Sequence, residues 1–212
     1  IREQKPDCVA IELDEKRRSS MTDPESYRKL DIIAVLKRKE GFLLLSNLVL
    51  ASFQKRLGEN VGVKPGDEML AAMNTAAELG IPSVLVDRPI AVTLRRAWVK
   101  NSLWGKSKLI SALIASALDK EKISPEQIEA LKKSNEMDSM MTELAEYLPA
   151  IKEVLINERD RYLASRIWEA NGERVLAVLG AGHLPGVEAY LKKIAAGDET
   201  TDTSDIEEVP PK

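Results

Sequence analysis

Cysteine, histidine and aromatic residues are scarce in this sequence. Its 212 residues include one cysteine, one histidine and only 4% aromatic residues. A single cysteine, Cys8, excludes a disulfide framework and a Cys-x-x-Cys metal site, and it fits a reducing compartment. The low aromatic content, together with abundant Glu, Lys, Leu and Ala, indicates a helix-rich protein.

The chain also lacks a strong net charge and a long apolar segment. Its 31 basic and 34 acidic residues leave a net charge of −3, so we expect no nucleic-acid partner. The best candidate for a membrane span, FLLLSNLVLASF at 42–53, falls short of the roughly 20 residues that a bilayer requires. We therefore predict a buried helix at 42–53.

Three short apolar runs predict the strands of a sheet: DCVAIEL at 7–13, PSVLVD at 82–87 and RVLAVLG at 174–180. Their Val, Ile, Leu and Ala residues alternate little with polar ones, which is typical of parallel strands covered on both faces. Helical patterns separate the runs, such as KPGDEMLAAMNTAAELG, which closes at Gly80. The sequence therefore predicts an α/β fold with a parallel-rich central sheet and flanking helices.

The domain organisation follows from where strand patterns stop. We predict that residues 1–88 and 147–196 form one α/β domain, with a helical insertion at 89–146. Residues 197–212 are acidic and polar and are expected to be a flexible tail or linker. Because the chain begins at Ile1 rather than Met, we expect it to be an excised segment of a longer protein.

The strand ends carry the candidate functional side chains. In open α/β sheets, ligands bind in the crevice outside the carboxyl ends of the strands. The only histidine, His183, lies in the loop GAGHLPG after the third strand, where Gly180 and Gly182 are expected to let the backbone turn and approach a ligand. The other strands end beside further charged residues, namely Glu12, Asp14, Asp87 and Arg88.

A long helix predicted at 147–172 adds two further candidates. At 100° per residue, Glu158 and Arg159 flank an apolar stripe, whereas Asp160 falls well outside it. Charges that face a core are costly unless they pair or bind a ligand. The stripe consists of Leu148, Ile151, Leu155 and Tyr162.

Each candidate also has an ordinary structural interpretation. His183 fits a turn residue or a helix cap, and Glu158 and Arg159 fit a structural ion pair to Glu12 or Asp87. The basic cluster EKRR at 15–18 fits a solvated face, although Arg17 or Arg18 could reach the crevice. A dinucleotide site is disfavoured, because GAGHLPG has the spacing GxGxxxG and no strand with an acidic end follows it.

Five segments, in order, resemble the signatures of the TraB/PrgY/GumN family, which belongs to a broader group with the Tiki proteins and the erythromycin-esterase-like enzymes. The resemblance covers nearly the whole chain apart from its tail. The segments are CVAIELDEKR (8–17), VGVKPGDEMLAAM (61–73), VLVDR (84–88), ERDRYLA (158–164) and VLGAGHLPGV (178–187).

The resemblance implies a metal-dependent hydrolase built on two GxxH motifs, of which GAGH supplies the second, with His183. It implies that His183 and Glu12 bind a divalent transition metal such as Mn, Co, Zn or Fe. Glu12 or Glu158 would act as ligand or general base, and Arg159 would stabilise oxyanion charge. The matches to the VDR motif, Asp87 and Arg88, have less defined roles.

The first GxxH motif would precede Ile1, so the 212-residue chain itself is expected to bind metal weakly and to be inactive. For the longer protein the resemblance implies cleavage of a signalling or pheromone-type peptide. The alternative is a peptide-sequestering or signalling module of a membrane protein. The resemblance also implies membrane segments outside this chain, with this domain soluble and cytoplasmic; a homo-oligomer is a further expectation.

Overall fold

The computed structural model describes residues 1–22, 66–118 and 149–209, and these form two compact units. The described part of the first unit comprises 1–22, 66–93 and 154–209, and that of the second comprises 94–118 and 149–153. The helix predicted at 42–53 and residues 119–146 of the predicted helical insertion lie outside the described residues.

The first unit is built around a three-stranded parallel sheet of β1 (Cys8–Ile11), β2 (Ser83–Leu85) and β3 (Val175–Val178). The strand order is β2-β1-β3, so the fully buried β1 lies in the centre. These strands confirm the α/β prediction, and each is shorter than the apolar run that predicted it.

Helices make up most of the remaining described chain. In chain order they are α1 (Glu15–Thr22), α2 (Asp67–Glu78), α3 (Ile90–Lys100), α4 (Leu103–Leu118), α5 (Pro149–Lys152), a π-helical segment (Glu153–Asn157), α6 (Glu158–Trp168), a 3₁₀ turn (Ala181–His183), α7 (Leu184–Ala196) and α8 (Ser204–Glu207). The predicted C-terminal glycine of α2 is observed, because Gly80 follows the last turn with a φ of 67°.

The two faces of the sheet are covered by different helices. Successive residues of a strand point to opposite faces, so Val9 and Ile11 pack against α2 whereas Ala10 packs against α6 and α7. Burial on both faces explains why the central strand β1 is a continuous apolar run rather than an alternating pattern, whereas β2 and β3 are only partly buried.

The described part of the tail packs on the first unit, in contrast to the flexible linker expected for 197–212. Ile206 is buried, and Arg161 forms an ion pair with Asp205. These contacts were not expected, because the segment is mostly polar, yet Ile206 is placed to insert into the unit. The contacts of this segment with the first unit extend to Glu207, which pairs with Arg166.

In the second unit, α3 and α4 are separated by a short break. Asn101 donates from Nδ2 to the carbonyl of Ala97 at the end of α3, and Ser102 accepts a hydrogen bond from the backbone N–H of Gly105 at the start of α4. Such contacts satisfy backbone groups that helix ends leave open. Within the described ranges, no helix combines the length and apolar character needed to cross a membrane.

Candidate functional site

The carboxyl ends of the three strands bring charged side chains to one edge of the sheet. Glu12 directly follows β1, Asp87 follows β2 after one residue, and His183 ends the 3₁₀ turn that follows β3. Because the strands are parallel, these positions meet at the edge where α/β folds bind ligands.

Glu12 lies at the centre of this edge and is buried. Its Oε1 accepts a hydrogen bond from Nη2 of Arg159 at 2.9 Å, and its Oε2 accepts one from the backbone N–H of Gly180 at 2.6 Å. The expectation that Gly180 and Gly182 let the backbone turn and approach a ligand stays a prediction. Gly180 has φ −62°, which any residue adopts, and its close neighbour is the carboxylate of Glu12; nothing lies within 4 Å of a Cβ placed at Gly182.

His183 is buried with its two ring nitrogens in different surroundings. Nδ1 lies 2.6 Å from Oδ1 of Asp160, and Nε2 lies 3.6 Å from Oε1 of Glu12. His183 occupies the N-cap position of α7, but its side chain makes no capping hydrogen bond. The imidazole therefore faces the carboxylates of the sheet edge rather than the end of the helix.

Arg159 bridges two carboxylates of the edge. Its Nη2 donates to Glu12 and to Oδ2 of Asp87 at 2.8 Å, while its Nε donates to Oδ1 of Asp87 at 3.1 Å. Burial opposes the charged form, yet the charges and hydrogen bonds of Asp87 and Glu12 outweigh it and raise the pKa of the guanidinium. These are the ion pairs that the structural interpretation of Arg159 predicted, and Arg17 lies 3.5 Å from Asp87 on the outer side.

Glu158 is engaged by a different partner from its neighbour Arg159. Its Oε2 accepts a hydrogen bond from Nη1 of Arg88 at 2.7 Å, and both side chains are buried. From the sequence, Glu158 is a catalytic candidate, and the structural alternative for Glu158 and Arg159 is an ion pair to Glu12 or Asp87. Because successive helical residues point about 100° apart, Glu158 meets Arg88 while Arg159 meets the acidic groups.

Asp160 is the site residue that the sequence analysis missed. It was expected outside the apolar stripe, but only 5% of it is exposed, and its carboxylate contacts His183. The π-helical segment before α6 has more residues per turn than an α-helix, so it shifts the angular positions from which the apolar stripe was predicted. Helix α7 packs against the side of α6 that carries Asp160. A signal was present in Gly186, a glycine inside a helix, where a Cβ would overlap Oδ2 of Asp160.

Comparison with known proteins identifies the family. The model of the TraB/PrgY/gumN family matches residues 1–201. The chain belongs to this family.

The chain is also similar to individual proteins. It is 36% identical to an uncharacterized protein of Methanocaldococcus jannaschii over 92% of this chain and 49% of that protein. It is 30% identical to a TraB domain-containing protein of Bos taurus and 28% identical to that of Homo sapiens, in each case over 89% of this chain and 56% of the relative. The chain thus spans about half the length of the curated relatives it matches.

The metal predicted from the TraB/PrgY/gumN resemblance can be tested against the donors at the sheet edge. An imidazole nitrogen of His183 and a carboxylate oxygen of Glu12 lie 3.6 Å apart, and this donor chemistry fits a divalent transition metal. The contact of Nδ1 with Asp160 resembles the support that metal-binding histidines usually receive from a carboxylate. Among the described residues, however, no three His, Cys, Asp or Glu side chains are grouped to hold a metal ion, so a complete site would need donors from elsewhere.

Proposed function

We propose that this TraB-family chain forms part of a metal-dependent hydrolase that cleaves signalling or pheromone-type peptides. The observation that carries the proposal is the environment of His183. One ring nitrogen contacts a buried carboxylate, and the other is directed toward Glu12 at the ligand-binding edge of the sheet. A supported imidazole with its second nitrogen open is the arrangement that metal binding requires.

Each residue of the edge has a distinct part in the proposal. His183 and Glu12 would hold the metal, which supplies Lewis-acid polarisation and an activated water. Glu12 is the preferred carboxylate for ligand or general-base chemistry, because its Oε1 lies 3.6 Å from Nε2 of His183, whereas Glu158 is paired with buried Arg88. Arg159 would stabilise negative charge that develops on a scissile carbonyl, and Asp87 orients its guanidinium through two hydrogen bonds.

The test is hydrolysis by the longer protein that includes residues preceding Ile1. We expect turnover of a peptide library with added Mn²⁺ or Co²⁺, measured by mass spectrometry, and a loss of about a hundredfold or more in His183→Ala. Lys192→Ala is the matched control, because Lys192 is exposed and pairs with Glu188 on the surface of α7. Equal rates in the unaltered protein and in His183→Ala would remove the hydrolase proposal.

A second candidate function is peptide sequestration without cleavage. The observation that favours it is the engagement of both carboxylate oxygens of Glu12, by Arg159 and by the backbone of Gly180. A carboxylate whose two oxygens both accept hydrogen bonds can serve as a rigid part of a peptide-binding surface. Peptide binding that is unaffected by a chelator, with intact peptide recovered, would favour sequestration over hydrolysis.

The proposal also includes the partners inferred from the family resemblance. Membrane association would come from segments outside these 212 residues and is tested by fractionating cells that express the longer protein. Self-association would use apolar surface such as the exposed Leu103 and Trp104 of α4. Light scattering would detect it, and an unchanged monomer mass would argue against it.

A further inference from the structure

We infer that Asp160 is the positioning residue of His183 and that Gly186 makes room for it. Asp160 is a buried carboxylate on the first turn of α6, and its Oδ1 lies 2.6 Å from Nδ1 of the imidazole. This contact gives the two ring nitrogens unequal roles. The inference rests on the proposed function only for the identity of the ligand that His183 binds, because the contact that orients the ring lies within this chain.

The first step is the space that the carboxylate occupies. Gly186 lies in the first turn of α7, directly against Asp160. A Cβ at position 186 would overlap Oδ2 of Asp160 and lie 2.5 Å from its Cγ. Glycine is unfavourable inside a helix by about 1 kcal/mol relative to alanine, so its presence here is explained by the close approach of the carboxylate.

The second step is the proton of the imidazole. An ionised carboxylate only accepts hydrogen bonds, whereas a neutral imidazole donates from one nitrogen and accepts at the other. In the neutral ring, Nδ1 must therefore be the donor to Asp160, which leaves a lone pair on Nε2. That nitrogen is the one that faces Glu12, at 3.6 Å. Asp160 thus sets which nitrogen of His183 is available to a ligand at the sheet edge.

The single histidine of the chain makes this inference directly measurable. A two-bond proton–nitrogen correlation spectrum of the ¹⁵N-labelled chain contains one side-chain imidazole, and its nitrogen shifts distinguish the two neutral tautomers. At a pH where the ring is neutral, we expect an excess of about tenfold or more of the Nδ1–H tautomer, since a charged partner strengthens that hydrogen bond.

Two substitutions test the cause of this preference. Asp160→Asn keeps the shape but replaces the charged acceptor by a neutral amide that can also donate to Nδ1, so the excess of the Nδ1–H tautomer should fall. Gly186→Ala should displace the carboxylate and remove the preference without touching the ring. Gly182→Ala is the matched control, because nothing lies within 4 Å of a Cβ there, and its spectrum should be unchanged.

The results separate this inference from the proposed function. A predominant Nε2–H tautomer in the unaltered chain would overturn the positioning role of Asp160. An unchanged ratio of the two tautomers in folded Asp160→Asn would overturn it as well. If Asp160→Asn does not fold, the unaltered chain and Gly186→Ala still decide the matter. An Nδ1–H tautomer in a longer protein that never hydrolyses peptide would overturn the hydrolase proposal and leave the role of Asp160 standing.

Discussion

Two carboxylate–guanidinium contacts lie side by side in this molecule and differ in nearly every physical respect. The consecutive residues Asp87 and Arg88 follow β2, and the consecutive residues Glu158 and Arg159 begin α6. They pair crosswise, with Arg88 on Glu158 and Arg159 on Asp87. The same residue types at adjacent positions therefore form two separate ion pairs.

The pair of Arg88 and Glu158 is enclosed, with 0% and 4% of the side chains exposed. Every nitrogen of the Arg88 guanidinium donates a hydrogen bond, and the additional acceptors are Thr93 Oγ1 and the carbonyls of Val154 and Ile206. The Arg159 side chain is 15% exposed and lies beside Glu12 and His183. The surroundings thus make one pair a connection inside the fold and the other a part of the site edge.

The largest change in stability is expected from the removal of Arg88. Arg88→Met should lower the free energy of unfolding by about 3–5 kcal/mol, because it leaves the buried carboxylate of Glu158 without its guanidinium. Urea unfolding followed by circular dichroism measures the change. A loss below about 1 kcal/mol would contradict the view that this pair is structural.

The double variant Arg88→Met with Glu158→Leu is the control for that measurement. Replacing both charges of a buried pair by apolar side chains is much less harmful than removing one of them. Stability should therefore recover in part. Full recovery is not expected, because the carbonyls of Val154 and Ile206 lose a donor as well.

A somewhat smaller effect should come from the segment that encloses Arg88. Ile206→Ala should lower the free energy of unfolding by about 2–4 kcal/mol, since it removes a buried aliphatic side chain. Leu184→Ala is the matched control, because Leu184 is half exposed, and it should change stability by less than about 0.5 kcal/mol. Equal effects of the two substitutions would mean that the tail is not part of the folded unit.

The sequence was sufficient to predict the sheet and part of the site edge. Apolar runs without alternation identify β1, β2 and β3, and parallel strands must bring Glu12, Asp87 and His183 to one edge. These inferences depend only on local patterns and on a general property of α/β sheets. The strands were predicted too long, because apolar residues such as Leu13, Val86 and Leu179 follow the last paired residues.

The partners of individual charges could not be predicted in the same way. The π-helical segment before α6 shifts the helical phase, which moved Asp160 from an expected outer position to the interior. The contact of Asp160 with His183 also depends on how α6 packs against α7, and Gly186 is the one local feature that indicates this packing. The choice of Arg88 rather than Glu12 or Asp87 for Glu158 is likewise a result of packing across the fold.

The smallest change in stability is expected from a substitution of Arg159 at the site edge. Arg159→Met should lower the free energy of unfolding by about 1–2 kcal/mol, less than Arg88→Met, because Asp87 keeps Arg17 within 3.5 Å and Glu12 keeps the backbone N–H of Gly180. The same substitution removes a positive charge from between Glu12 and Asp87, both of which accept a hydrogen bond from Nη2 of Arg159. Mn²⁺ titrated by calorimetry should therefore bind Arg159→Met more tightly than the unaltered chain. Arg88→Met, if folded, should leave Mn²⁺ binding unchanged, and equal affinities in all three proteins would show that the two pairs do not differ in their access to the site.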